Sequence, residues 1–330
     1  MNDVVGKSPA RRRKLRNSPV VSWAVYWSVR LMLRLLSLST LRVNHMWGSL
    51  LGRVMWHSNF TSKQIARCNL QIAYPDAPPE QIDELLRKNL IELGKTITEF
   101  GILWRCGQRR LQNLVSSVEG RHVLQQAQSQ GKGIIFLSPH LGSWELVGLH
   151  LSINSPITSM YRPAKISTLD RIIRPARERF GARLVPTELS GVVALRRTLA
   201  ERGTIGVLPD QDPGPNGGID VPFFGYSART MLLVSRLAAK SGAPVLFVFA
   251  ERLPKSAGFR IIYRPAPDQV ASRDEEEAAR ALNEGVEHCV EVNPAQYQWS
   301  YNRYRFTRER IQSPSVRISD PEKSQHKRAA

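Results

Sequence analysis

His140 and Glu145 carry the most telling chemistry in this chain. They lie in the stretch Gly131-Lys-Gly-Ile-Ile-Phe-Leu-Ser-Pro-His140-Leu-Gly-Ser-Trp-Glu145, with four residues between them. An imidazole held by a carboxylate at one ring nitrogen is free at the other to act as a general base on a hydroxyl. Glu145 is near enough in sequence to hold that ring. Asp210 and Asp212, in Asp-Gln-Asp-Pro-Gly, offer a second source of carboxylate: Asp210 can approach His140 from the opposite side, or both can serve as turn and Asx caps. Arg162, ahead of Pro163, is placed to stabilise an oxyanion or bind a phosphate, or is a surface arginine. A nucleophilic serine would require an elbow such as Gly-x-Ser-x-Gly, which the sequence lacks. A metal site is disfavoured, because His140 and Glu145 are separated by a helix break and His150 would have to turn back from the far end of its helix.

Those side chains need a scaffold, and the hydrophobic pattern supplies one. The run Ile134–Leu137 reads as a buried strand. Pro139 and Gly142 end it, and Ser143 is placed to cap the next helix. His140 thus falls at the carboxyl edge of a sheet, where open α/β sheets bind ligands. Further strands are expected at 157–162, 182–186, 204–209, 243–251 and 259–264, with helices at 120–130, 143–153, 168–180, 190–202, 229–241 and 273–292. This alternation predicts an α/β fold with a mostly parallel central sheet flanked by helices. The strands 243–251 and 259–264 read as a hairpin at one edge. Two helices precede this region, one opening at Thr61 and one at Pro79.

The organisation expected is a basic N-terminal segment and anchoring helix (1–57), a main domain (58–308, helical to 115 and α/β from 116), and a basic tail (309–330). The net charge is +19, concentrated at the ends. Residues 1–57 hold ten Lys/Arg against one Asp, and residues 301–330 hold eight against three Asp/Glu. Nucleic-acid binding would place that charge on the folded body, so no nucleic-acid partner is expected. Basic ends flanking an apolar helix suit an anionic membrane face. The apolar run 20–41 is interrupted by Arg30 and Arg34. An arginine at the bilayer centre costs about 2.5–3.5 kcal/mol, so a helix lying in the cytoplasmic leaflet is favoured over a span. Trp23 and Trp27 suit that boundary. Three cysteines in no regular spacing exclude a disulfide framework or thiolate zinc site. Gly214, Gly217 and Gly218 lack the strand–glycine–helix setting of a nucleotide loop, so no cofactor is expected.

His140-x4-Glu145 resembles the His-x4-Asp/Glu signature of glycerolipid-type acyltransferases. From about residue 20 to 308 the chain is similar to the lipid A biosynthesis late acyltransferases. The residues that carry the likeness are Arg67-Cys-Asn-Leu70, Tyr74-Pro75, Tyr161-Arg-Pro163, Gly206-Val-Leu-Pro-Asp210-Gln-Asp212, Val221-Pro-Phe-Phe-Gly225 and Asn293-Pro-Ala-Gln-Tyr297-Gln-Trp299. The resemblance implies a bacterial inner-membrane enzyme with its catalytic domain on the cytoplasmic face. It implies transfer of a fatty acyl chain from an acyl carrier protein thioester to a hydroxyl of an acylated, phosphorylated disaccharide. His140 is then the base and Glu145 its orienting acid. Phe223 and Phe224 are candidates for the acyl groove, or simple core. Arg303, Arg305 and Arg308 are candidates for docking the acidic carrier. Two alternatives are acylation of another glycolipid, aminolipid or lysophospholipid, and a non-catalytic basic protein that binds membranes peripherally.

Overall fold

The computed structural model describes residues 19–164 and 167–305. Four helices come first: α1 (Pro19–Leu38), α2 (Leu41–His57), α3 (Thr61–Ala73) and α4 (Pro79–Leu103). Pro79 sits in the first turn of α4, where its missing N–H has no helical partner to lose. α2 lies along α4 through small residues, and a Cβ on Gly94 would come within 2.1 Å of the Gly48 carbonyl oxygen. That close approach couples α2 rigidly to the helix that reaches the site.

The α/β region follows as α5 (Gln108–Leu114), β1 (Val115–Glu119), α6 (Arg121–Ser129), β2 (Ile134–Leu137), α7 (Trp144–Asn154), β3 (Ile157–Tyr161), α8 (Ser167–Glu178), β4 (Arg183–Pro186), α9 (Leu189–Ala200), β5 (Thr204–Val207), β6 (Gly218–Phe223), β7 (Tyr226–Met231), α10 (Leu233–Ser241), β8 (Val245–Arg252), β9 (Phe259–Pro265) and α11 (Glu275–Val290). The seven-stranded sheet has the order β1-β9-β8-β2-β5-β3-β4. Strands β8, β2, β5, β3 and β4 run parallel, and β9 runs antiparallel to β8. β2, at the centre of the sheet, buries both faces. Ile135 and Leu137 point into a core with Leu199, Leu237 and Phe247, while Ile134 and Phe136 point into one with Leu146, Val147 and Val248.

Three expectations are corrected. The β8–β9 hairpin is not an edge, because β1 pairs parallel with β9 and covers it. The helix expected from 229 begins at Leu233, since Tyr226–Met231 is the return strand of a separate hairpin. That hairpin turns at Phe224 and Gly225, both at positive φ (48° and 71°), as a two-residue turn matched to strand twist requires. Ser143 stands at the start of α7 but makes no capping bond; its hydroxyl is used elsewhere.

Among the described residues no helix is long and apolar enough to cross a membrane. In α1 the Arg30 guanidinium donates to the Tyr26 hydroxyl at 2.8 Å and lies over the Trp27 ring. Trp27, Leu31 and Leu35 on α1 and Met46, Trp47 and Leu50 on α2 are exposed at one face of each helix. The Arg11–Arg16 run and the tail expected at 309–330 lie outside the described residues.

Candidate active site

Leu137 pairs with Val207 in adjacent parallel strands. Three residues further along each strand stand His140 and Asp210, so the register alone brings the two side by side. The chain leaves β2 toward β3 and leaves β5 toward β8, in opposite directions across the sheet. A crevice opens at such a divergence. Asp210 accepts two hydrogen bonds from His140, one from the backbone N–H at 2.8 Å and one from Nδ1 at 2.8 Å. An ionised carboxylate can only accept, so Nδ1 carries the proton and Nε2 presents its lone pair. Nε2 accepts from the Gln211 side-chain amide at 3.0 Å. Burial alone would raise the Asp210 pKa, but the charge and hydrogen bonds of His140 outweigh it and hold the carboxyl below its usual value. Tyr297 closes over the same carboxylate, and burial, then the Asp210 charge, pushes its phenol well up.

Glu145 does not hold the imidazole, contrary to expectation. Its carboxylate, in the first turn of α7, faces α8 and α4 instead. It accepts from Arg177 Nε at 3.0 Å, again from Arg177 Nη2, and from the Trp104 indole N–H at 2.9 Å. Arg177 is further fixed over the Tyr161 ring, 5.2 Å from its centroid. It is desolvated, yet the Glu145 charge raises its pKa above the ordinary arginine value. Glu145 thus orients a guanidinium whose open side faces the same cavity as His140. No pattern singled out Arg177 in the sequence, because it is one of several arginines on α8.

The cavity has a volume of about 620 Å³. His140, Trp144, Arg162, Arg177, Arg196 and Gln211 give it polar walls, and Met160, Val192, Val207, Leu233 and Leu237 give it apolar ones. Arg162 lines it from the exit of β3 and is exposed. Asp212 also lines it, but its carboxylate is engaged by Arg305 at 2.8 Å and by the Gly214 N–H at 2.8 Å. It therefore shapes the turn after β5. Phe223 and Phe224 do not line the cavity. Phe223 is fully buried against Phe224 and Tyr297, and Phe224 packs on Trp299. The apolar walls come instead from α9, α10 and the strand ends. Among the described residues no cluster of His, Cys, Asp or Glu could hold a metal ion.

A buried polar network supports the loop that carries His140. Glu99 on α4 accepts from the Ser143 hydroxyl at 2.9 Å, lies 2.7 Å from His45 Nε2 on α2, and pairs with Arg252 on β8 at 2.5 Å. Arg252 also reaches Glu92 and Thr96. From β8 the network passes to Gln296, whose carbonyl accepts from the Gly142 N–H at 3.0 Å, and the next turn returns a bond from Gln298 N–H to the His140 carbonyl at 3.0 Å. The His140–Ser143 segment is thereby held from both sides.

Comparison with known proteins follows the same lines. Residues 12–306 match the family described as bacterial lipid A biosynthesis acyltransferase. The chain is 28% identical over 248 residues to the lipid A biosynthesis palmitoleoyltransferase of Escherichia coli K12, covering 74% of this chain and 78% of the relative. It is 25% identical over 252 residues to the lauroyltransferase of the same organism, covering 76% and 81%. A lipid A biosynthesis acyltransferase of Haemophilus influenzae is 27% identical over 279 residues, covering 83% and 86%. The match extends over nearly the whole described fold, and this chain is an acyltransferase belonging to the bacterial lipid A biosynthesis acyltransferase family.

Proposed function

We propose that this protein transfers a fatty acyl chain from an acyl carrier protein thioester to a hydroxyl of a phosphorylated lipid A precursor, at the cytoplasmic face of the bacterial inner membrane. The observation that carries the reading is the Asp210–His140 dyad opening into a cavity with both cationic and apolar walls. His140 Nε2 takes the proton of the acceptor hydroxyl as the oxygen attacks the thioester carbonyl. Asp210 holds the tautomer and balances the imidazolium that forms. The tetrahedral oxyanion develops beside the Arg177 guanidinium, preset by Glu145. Collapse expels the thiolate, which takes the proton back from the imidazolium. No covalent acyl-enzyme is required. The test is purified protein with a carrier-bound acyl donor and a lipid A precursor, the product read by mass spectrometry. Absence of a mass increase on the acceptor would remove the reading.

Arg177→Met and Glu145→Gln are each expected to lower kcat by about 10²–10³-fold, the usual loss for an oxyanion donor. Because the two act as one unit, the double variant should be little worse than either single one. Steady-state kinetics on all three variants checks this, and additive losses would separate the two residues.

The exposed apolar faces of α1 and α2 support docking in the headgroup region, with Trp27 and Trp47 at the boundary. Replacing Trp27, Leu31 and Trp47 together by serine is expected to weaken binding to anionic vesicles at least tenfold, read by sedimentation. High salt should strip the wild type only partly, because apolar burial is not screened.

A further inference from the structure

A second cavity of about 510 Å³ adjoins the first and shares Arg196, Leu237 and Lys240 with it as a common wall. It lies between the C-terminal ends of α9 and α10, against the loops that enter β2 and β5. The two cavities therefore follow β2 from His140 at one edge of the sheet to Lys132 at the other. At about 3.3 Å per residue, Lys132 to Ser138 spans roughly 20 Å. Lys132, Arg196, Arg202 and Lys240 line the second cavity, and no acidic residue does. Neighbouring Arg197 and Arg236 are paired with Glu201 and Glu275, whereas these four have no carboxylate partner among the described residues. The loops bearing Lys132 and Arg202 are in backbone contact, a Cβ on Gly133 falling 2.4 Å from the Gly203 carbonyl oxygen. Leu199 and Leu237 form an apolar floor.

Uncompensated cations that run from the shared wall, Arg196 and Lys240, to Lys132 and Arg202 at the far end, over a leucine floor, fit a long, flexible arm that ends in a phosphate. We propose that the acyl donor enters along this α9–α10 channel, its thioester at His140 and its phosphate held by Lys132, Arg196, Arg202 and Lys240, with the acidic carrier protein docked at the open end. The proposal rests on the thioester-donor reading above. Two observations select the donor over the lipid acceptor, and the carrier over coenzyme A. The exposed apolar face of α1 belongs to a helix packed on α4 and α8, with α8 beside α7, on the other face of the sheet from α9 and α10. A bilayer lipid would thus arrive from the opposite side. No aromatic side chain lines the second cavity, so nothing there would stack an adenine ring. Of the docking arginines expected from sequence, Arg303 is buried on Thr230, Arg305 is exposed and paired with Asp212, and Arg308 lies outside the described residues.

The test is the double variant Lys132→Glu/Arg202→Glu, with Lys132→Arg/Arg202→Lys as the conservative control. kcat/KM is measured with carrier-bound acyl, acyl-coenzyme A and acyl-pantetheine lacking the phosphate, and carrier binding is measured directly by titration. Charge reversal should reduce the preference for carrier-bound acyl over acyl-pantetheine at least tenfold and weaken carrier binding by a similar factor. The wild-type preference should itself shrink as salt rises, and the conservative variant should restore it at low salt. Unchanged carrier binding beside an equal loss with acyl-coenzyme A would leave a phosphate site alone and overturn the carrier assignment. A rise in KM for the lipid acceptor alone would assign the channel to the glycolipid phosphate and overturn the proposal, as would no change in any of these. Carrier binding that depends on both residues in a protein that acylates nothing would keep the channel and sink the reaction.

Discussion

Asp210→Asn is expected to lower kcat by about 10⁴-fold with the fold intact, the loss typical of the same change in a hydrolase triad. Asp210 accepts from both the backbone N–H and Nδ1 of His140. An asparagine can accept at one of these positions but must present its NH₂ to the other. With the amide oxygen on the backbone N–H, the NH₂ faces Nδ1, and the imidazole is driven to the tautomer protonated at Nε2. That tautomer has no lone pair facing the cavity and cannot take a proton from the acceptor hydroxyl. Removing the base in this way should leave donor and acceptor KM little changed. In the wild type, the lowered Asp210 pKa keeps the carboxylate ionised as pH falls through the ordinary carboxylate range, so its contribution is lost only in stronger acid. The kcat of the two proteins at neutral pH checks the first statement, and the pH at which the Asp210 carboxylate takes up a proton, followed by NMR or infrared difference spectra against Asp210→Asn, checks the second.

The second large effect concerns stability. Arg252→Met is expected to destabilise the protein by about 3–5 kcal/mol, because it leaves Glu99 buried without its main counter-charge. For a chain of this size that corresponds to a fall in Tm of roughly 4–7 °C. The sign of the pH dependence follows from Glu99. Burial opposes its ionisation, but Arg252 and then His45 lower its pKa from 4.5 to about 2. A depressed acid contributes stability above its unfolded pKa and loses it as pH falls through the folded one. Wild-type Tm should therefore drop between about pH 4.5 and pH 2. A Glu99→Gln variant should show a shallower drop over that window. Because Glu99 also receives Ser143 from the His140 loop, its loss should lower kcat as well as Tm.

β2 to β5, β8 and β9 were legible because each is a short, largely apolar run with glycine or proline close by, and the placement of His140 at a strand exit follows from that pattern. Its partner was not decided by local pattern. Glu145 is nearer in sequence, yet the first turn of α7 carries its carboxylate away toward Arg177 and Trp104. Asp210 is 70 residues distant and becomes adjacent only through the β2–β5 register. Strand order is a tertiary property, and only once it is known does the equal offset from Leu137 and Val207 identify the dyad. β1 escaped notice because Val115–Glu119 is short and half polar, and becomes a strand by pairing with β9. The β6–β7 turn was hidden because its first positive-φ residue is Phe224 rather than asparagine, held in place by its packing on Trp299.

The most direct measurement compares wild type with His140→Ala, following acyl transfer from a carrier-bound thioester to a lipid A precursor by mass spectrometry. Vesicle sedimentation on the same preparations controls for membrane binding. Loss of at least 10³-fold in rate, with sedimentation and Tm unaltered, is the predicted result. An alanine variant that still acylates the precursor at a rate near wild type would contradict the assignment of His140 as the base.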